Sequence, residues 1–313
     1  MFVNYHFNVG SDRIYLFFDD PNDDGIELFQ TDSRISCVRC DAAYWAVASR
    51  SGQPILEERQ LFNAALALKW AREEGVDWLF HIDSDELLFA PGDDLRRYLE
   101  SVGNGFDAVT FPTLEALPKL QHSDHVFRDT QWFKIENSPV PGAYTLARLV
   151  GCHRAFRYGY FRGHTIGKSA VRVRSRVVGI GIHLPYGAGD DLHVKRATDA
   201  YVLHYDCCMF DDWLLKWKRR HDGEAVFPSM RDDRKRQLSE FSVAYKSGSY
   251  NELQSTYKRQ CIVPTYEILI LLALGLLRRI KLRSAAFLES NPATAPREHD
   301  SLVPTLSIVG ADP

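Results

Sequence analysis

Long hydrophobic runs are scarce in this sequence, and none reaches the roughly 20 apolar residues that cross a bilayer. The opening residues, Met1-Phe2-Val3-Asn4-Tyr5-His6, lack a basic stretch followed by an apolar one, so no secretory signal is read there. Charge of one sign is missing too. Against 41 Asp+Glu stand 38 Lys+Arg, a net charge of −3, which removes the basic excess that nucleic-acid binders carry. Cysteine is sparse, at 6 in 313 residues with no dense spacing, so a disulfide scaffold is excluded. Cys37 and Cys40 form a single C-x-x-C knuckle, with Cys207 and Cys208 adjacent to each other; a structural zinc site wants a second knuckle or a matching His pair. No internal repeat is seen. These absences lead to the expectation of a soluble, cytoplasmic protein with no nucleic-acid partner.

What is present suffices for a core: 45% of residues are hydrophobic and 12% aromatic. Arg13 to Phe18 is a short apolar run that stops in the acidic turn from Asp19 to Gly25. A helix is predicted from Pro54 to Glu74, with proline at its start and Gly75 at its stop. A strand from Val76 to Ile82 then runs into Asp83-Ser84-Asp85-Glu86. A helix near residues 93–102 and a strand near 106–111 continue the alternation, which is the pattern of a mostly parallel α/β sheet flanked by helices. Residues 171–184 alternate as an antiparallel, half-exposed strand would. Helical patterns follow at 211–221, 231–247 and 251–260, and residues from about 292 read as a loose tail.

Asp83 and Asp85 carry the sharpest chemical signal. Alternate residues of a strand face one way, so both carboxylates are expected to point into one crevice at its end. Hard oxygen ligands at that spacing suit Mg²⁺ or Mn²⁺, ions that commonly also hold substrate phosphates. A solvated acidic turn is the competing reading. Asp19 and Asp20 end an earlier strand and could bring a second carboxylate pair to the same edge, there to meet a uracil N–H or a ribose hydroxyl. The competing reading for that pair is an Asx turn.

At these residues the sequence resembles a known family. FVNYHFNVGSDRIYLFFDDPNDDG (2–25) and VDWLFHIDSDELLF (76–89) are similar to the two hallmark segments of family 2-like glycosyltransferases of the GT-A fold. The first is a Y-H-x-x-x-G segment, a strand and a D-D-x-x-x-D-G turn; the second is an apolar strand ending in a D-x-D metal motif. The resemblance spans roughly residues 2–220. It implies a Rossmann-like GT-A domain over 1–225, followed by a helical C-terminal extension over 226–290 and a flexible tail over 291–313. The family's first strand precedes the Y-H-x-x-x-G segment, so that strand is expected to be missing here. The resemblance further implies a nucleotide-diphosphate sugar as donor, UDP-sugar above all, a saccharide or lipid-linked acceptor, and inversion at the anomeric carbon. Asp19 and Asp20 would contact the nucleoside, and Asp83 and Asp85 would hold metal and sugar nucleotide, supported by Glu86.

His204, in Tyr201-Val202-Leu203-His204-Tyr205, matches a late histidine that completes the metal or diphosphate site in the family; a structural histidine is the alternative. Lys168, in a small-residue loop with Gly163 and Gly167, is placed to neutralise a phosphate. Inversion needs a general base, for which Glu115, Asp211 and Asp212 are candidates. The apolar stretch 262–277, followed by Arg278, Arg279, Lys281 and Arg283, reads either as a buried helix or as a peripheral membrane contact over 262–283. Two other functions compete with the transferase. One is a non-catalytic nucleotide- or carbohydrate-binding remnant of the fold. The other is a metal-dependent phosphohydrolase, disfavoured because Leu87 stands where its motif wants Thr or Val.

Overall fold

The computed structural model describes residues 1–48, 55–119, 123, 125–187, 191–223, 230–283 and 287, and the backbone of 306–311. Pro54, expected to open the long helix, lies outside the described residues, as does most of the expected tail. The chain divides into two compact units. One takes Met1–Thr113, Ile166–Val202 and Arg283–Pro313; the other takes Leu114–Thr165 and Leu203–Leu282.

The first unit is built on a seven-stranded mixed sheet. Its strands lie in the order Val194–Arg196, Ala108–Phe111, Lys168–Arg172, Trp78–Asp83, Leu306–Ala311, Arg13–Phe18 and Ile35–Arg39. Lys168–Arg172 runs antiparallel to both its neighbours, and the other pairings are parallel. The mostly parallel sheet expected from the alternation is therefore interrupted near its middle by a reversed strand. Leu306–Ala311 lies between Arg13–Phe18 and Trp78–Asp83, inside the stretch that the sequence reads as tail.

Helix Leu56–Glu74 covers this sheet. Glu58 reaches back to the Ile55 N–H at its start, and Gly75 closes it in the left-handed conformation with φ of 78°. Its buried face, Ala64, Ala67, Leu68 and Ala71, packs on Tyr15, Phe17, Leu79, Ala108 and Val171. The small alanines let the helix approach the larger strand side chains closely.

The short helix Phe2–Asn8 grips the strand Glu86–Phe89 with two neighbouring side chains. Tyr5 donates from its hydroxyl to the Leu88 carbonyl at 2.9 Å, and the Leu88 N–H donates to His6 Nε2 at 3.3 Å. His6 Nδ1 then donates to the Phe2 carbonyl at 3.0 Å, which fixes the neutral tautomer. Both side chains are fully buried, and together they satisfy the polar backbone of Leu88 as an adjacent strand would.

The second unit holds an antiparallel set in which Trp132–Lys134 pairs with Thr113–Ala116 on one side and Leu277–Arg279 on the other. Helices Phe210–His221, Asp232–Lys246 and Tyr250–Cys261 share a core of Trp213, Trp217, Phe241 and Tyr257. These three helices match the patterns read at 211–221, 231–247 and 251–260. The apolar stretch yields a helix of nine residues, Thr265–Ala273, with Leu271 and Glu267 buried. Among the described residues no helix is long and apolar enough to cross a membrane.

Burial lowers the His6 pKa from 6.5 to about 3, so the folded protein refuses a proton that the unfolded chain accepts. Stability from this group is whole above about pH 6.5 and falls as pH drops toward 3. Urea midpoints measured between pH 7 and 4 are expected to decline, and His6→Asn is expected to flatten that decline. An unchanged slope in the variant would show that His6 does not carry the effect.

Candidate functional site

Strand register decides where the acids stand. Ala311 pairs with Phe17 on one side and with Asp83 on the other, so three parallel strands end level with one another. Asp19 and Asp20, following Phe18, and the turn after Asp83 therefore leave the sheet at the same edge. One strand lies between them, which separates the two strand ends by about 10 Å. The two acid-bearing strands are thus not direct neighbours, because Leu306–Ala311 pairs with both.

The strand ends at Asp83, and Glu86 already begins the next one. Asp85 belongs to the turn between them, so strand alternation cannot be what orients it. The Glu86 side chain folds back to accept the Asp83 N–H at 2.9 Å, which tightens the turn. Asp83 Oδ1 accepts from Gln60 at 3.0 Å, and Oδ2 takes Lys168 Nζ at 3.0 Å. The same ammonium lies 3.5 Å from Glu86 Oε2. Burial alone would pull the Lys168 pKa down, but Asp83 and Glu86 outweigh it and raise it, so the group stays charged. Asp85 is half-buried.

Gly167 makes the placement of Lys168 possible. It adopts φ of +92°, and a Cβ there would lie 2.1 Å from the Phe111 carbonyl oxygen. His183 Nδ1 donates to the Gly167 carbonyl at 3.0 Å, which holds the loop from the other side.

Asp19 accepts from Arg59 at 2.9 Å, while Asp20 is exposed and caps an Asx turn through the Asn22 N–H. Arg59 and Gln60, which the sequence reading passed over, are consecutive residues in the opening turns of helix Leu56–Glu74. Their signal was present in the order of elements. A helix leading into the next parallel strand must start at the edge where the strands end, so its first turns face the acids.

Glu115, Asp212 and His204 belong to the second unit. Glu115 is fully buried and accepts from Lys134 at 2.8 Å and from the Arg162 and Gly163 N–H groups at 2.7 and 2.8 Å. Burial pushes its carboxyl up, but Lys134 and Arg162 outweigh this and hold it at about 2. Such a carboxylate has little affinity for a proton. Its partners make it a structural anchor, which counts against the base role expected for it. Asp206, equally buried, receives Lys216 at 2.7 Å and Arg234 at 3.1 Å. The His204 ring lies against Gly163, where a Cβ would come within 2.8 Å of Nδ1 and Cε1. Asp211 and Asp212 stand exposed in the first turn of helix Phe210–His221.

Among the described residues, no group of three or more His, Cys, Asp or Glu side chains comes together around one metal position. The donors at the Asp83–Glu86 turn are hard oxygens, which suits Mg²⁺ or Mn²⁺ by type. Both Asp83 oxygens are engaged, one by the Gln60 amide and the other by the Lys168 ammonium.

No family model matches the chain. It is similar to two Arabidopsis thaliana proteins, Glycosyltransferase-like At2g41451 and Glycosyltransferase-like At3g57200. It is 27% identical to the first over 230 residues, covering 71% of this chain and 50% of that protein. It is 24% identical to the second over 230 residues, covering 71% and 44%. The chain thus spans about half the length of the curated relatives it matches.

Removing one partner from a buried ion-pair network strands the others. Glu115→Gln is expected to cost about 3–5 kcal/mol of stability, read from urea denaturation. Stability close to that of the parent would restore Glu115 as a residue free for chemistry. Gly167→Ala is expected to lower the melting temperature, because the added methyl meets the Phe111 carbonyl in a backbone conformation that alanine avoids.

Proposed function

We propose that the chain is a glycosyltransferase that moves a sugar from a nucleotide-diphosphate donor, a UDP-sugar by preference, to a hydroxyl of a saccharide or glycoconjugate. The observation that carries the reading is the alignment of two acidic strand ends at one sheet edge. The similarity to two glycosyltransferase-like proteins supports it. The crevice beyond the carboxyl ends of parallel strands is where α/β folds most often bind nucleotides.

In this reading Asp19 and Asp20 hydrogen-bond the nucleoside, with Arg59 fixing the carboxylate of Asp19. Asp83 and Asp85 would hold Mn²⁺ or Mg²⁺ jointly with the diphosphate. When bound, the ion would supply positive charge to the leaving nucleoside diphosphate. The chain's own contribution is positioning. Gln60 and Lys168 set the Asp83 carboxylate, and Glu86 holds the turn so that Asp85 projects from a fixed backbone. Glu115, closed in by Lys134 and Arg162, is not assigned as the base of an inverting reaction. A lipid-linked acceptor would suit the second unit, where Tyr266, Leu269, Arg278 and Arg279 are all exposed.

Release of UDP from a panel of UDP-sugars in the presence of Mn²⁺ tests the proposal. Turnover with at least one donor is expected, and Asp85→Ala is expected to lower it at least about 100-fold. Metal-dependent UDP binding without turnover on any donor would favour the binding remnant instead. Phosphate release from simple phosphomonoesters would favour a hydrolase.

A further inference from the structure

An ammonium group occupies the place where the carboxylates of the Asp83–Glu86 turn converge. Lys168 is 1% exposed, and its Nζ sits 3.0 Å from Asp83 Oδ2 and 3.5 Å from Glu86 Oε2. Glu86 is itself 5% exposed, and its Oε2 also accepts the Asp83 N–H. The second Asp83 oxygen takes the Gln60 amide at 3.0 Å. This is no surface lysine that happens to lie near an acid. Its backbone is paired with the Ala108–Phe111 strand at Phe111, and the following residues pair with Trp78–Asp83. The preceding Gly167 has no room for a side chain. The sheet delivers the cation to a fixed position, where its burial is tolerable only because two carboxylates receive it.

A divalent ion approaching Asp83 must compete with this ammonium for the same oxygen and is repelled by its charge. We infer that Lys168 is a built-in countercation that withholds Asp83 and Glu86 from a free divalent ion, so that the turn retains Mn²⁺ or Mg²⁺ only together with a diphosphate. Lys168 is thus a positioning residue: it touches the carboxylates, and the diphosphate makes up the oxygens that they do not offer. The part played by the diphosphate rests on the transferase reading. The part played by Lys168 does not, since it concerns the metal alone.

Titration with Mn²⁺ alone, following the free ion by electron paramagnetic resonance, separates the two. Lys168→Met is expected to bind Mn²⁺ at least about tenfold more tightly than the parent chain, because it uncovers two carboxylates. Lys168→Arg, which keeps the charge, is expected to show no gain, and adding Asp83→Asn to Lys168→Met is expected to abolish it. A Lys168→Met chain that binds Mn²⁺ no better than the parent overturns the inference. Should that variant fail to fold, Asp83→Asn in the parent decides: unchanged Mn²⁺ affinity supports the inference, and a tenfold loss or more, on the order set by removing one ligand charge, overturns it. Adding UDP to the parent is expected to tighten Mn²⁺ binding. No change with UDP overturns the shared-ligand part and weighs against the transferase reading, while the nucleotide-free titration still stands on its own result.

Discussion

A carboxylate at the end of a central strand must stay ionised to be useful, yet it sits on the rim of a low-dielectric sheet that resists charge. In this protein the ion pair between Lys168 and the acids of the Asp83–Glu86 turn meets that constraint. The sheet brings a positive charge from one strand to the negative ends of its neighbour, and each makes the other's burial tolerable. The turn geometry follows from it, since Glu86 is held both by the ammonium and by the Asp83 N–H. Tyr5 and His6 then fix the following strand through the peptide groups of Leu88.

The second unit meets the same constraint with more members. Glu115 and Asp206 are both fully buried, and Lys134, Arg162, Lys216 and Arg234 surround them. An acid so enclosed is stable as an anion and is poor at taking a proton. That explains why Glu115, which reads in sequence as a catalytic candidate, acts here from within the strand Thr113–Ala116 as a tie between backbone segments. Its hydrogen bonds to two consecutive N–H groups hold the Arg162–Gly163 loop, against which the His204 ring packs.

Much of the fold was legible because local signals agree. Gly75 stops a helix in the left-handed conformation that glycine favours, and the charged patterns at 211–260 form three helices around Trp213 and Trp217. The acidic turns were legible as turns, since Asp and Asn bond their own backbone whatever the fold, as Asp20 does. The strand at Leu306–Ala311 was not, because its surroundings in sequence are rich in Pro, Ala and Ser and its pairing partners lie hundreds of residues away. The orientation of Asp85 was not legible either, for strand alternation stops at Asp83.

By itself the sequence determined which residues are acids at strand ends, which segment is the long covering helix, and that Lys168 follows a glycine among small residues. These are properties of neighbours along the chain, set by propensity, periodicity and turn chemistry. Only the tertiary structure decided that Lys168 faces Asp83. Lys168 begins its strand and Asp83 ends its own, so the two meet only because those strands run antiparallel. Had they run parallel, the two residues would stand at opposite edges of the sheet, about 17 Å apart. Strand direction is settled by long-range pairing and loop closure, which no local window of sequence contains.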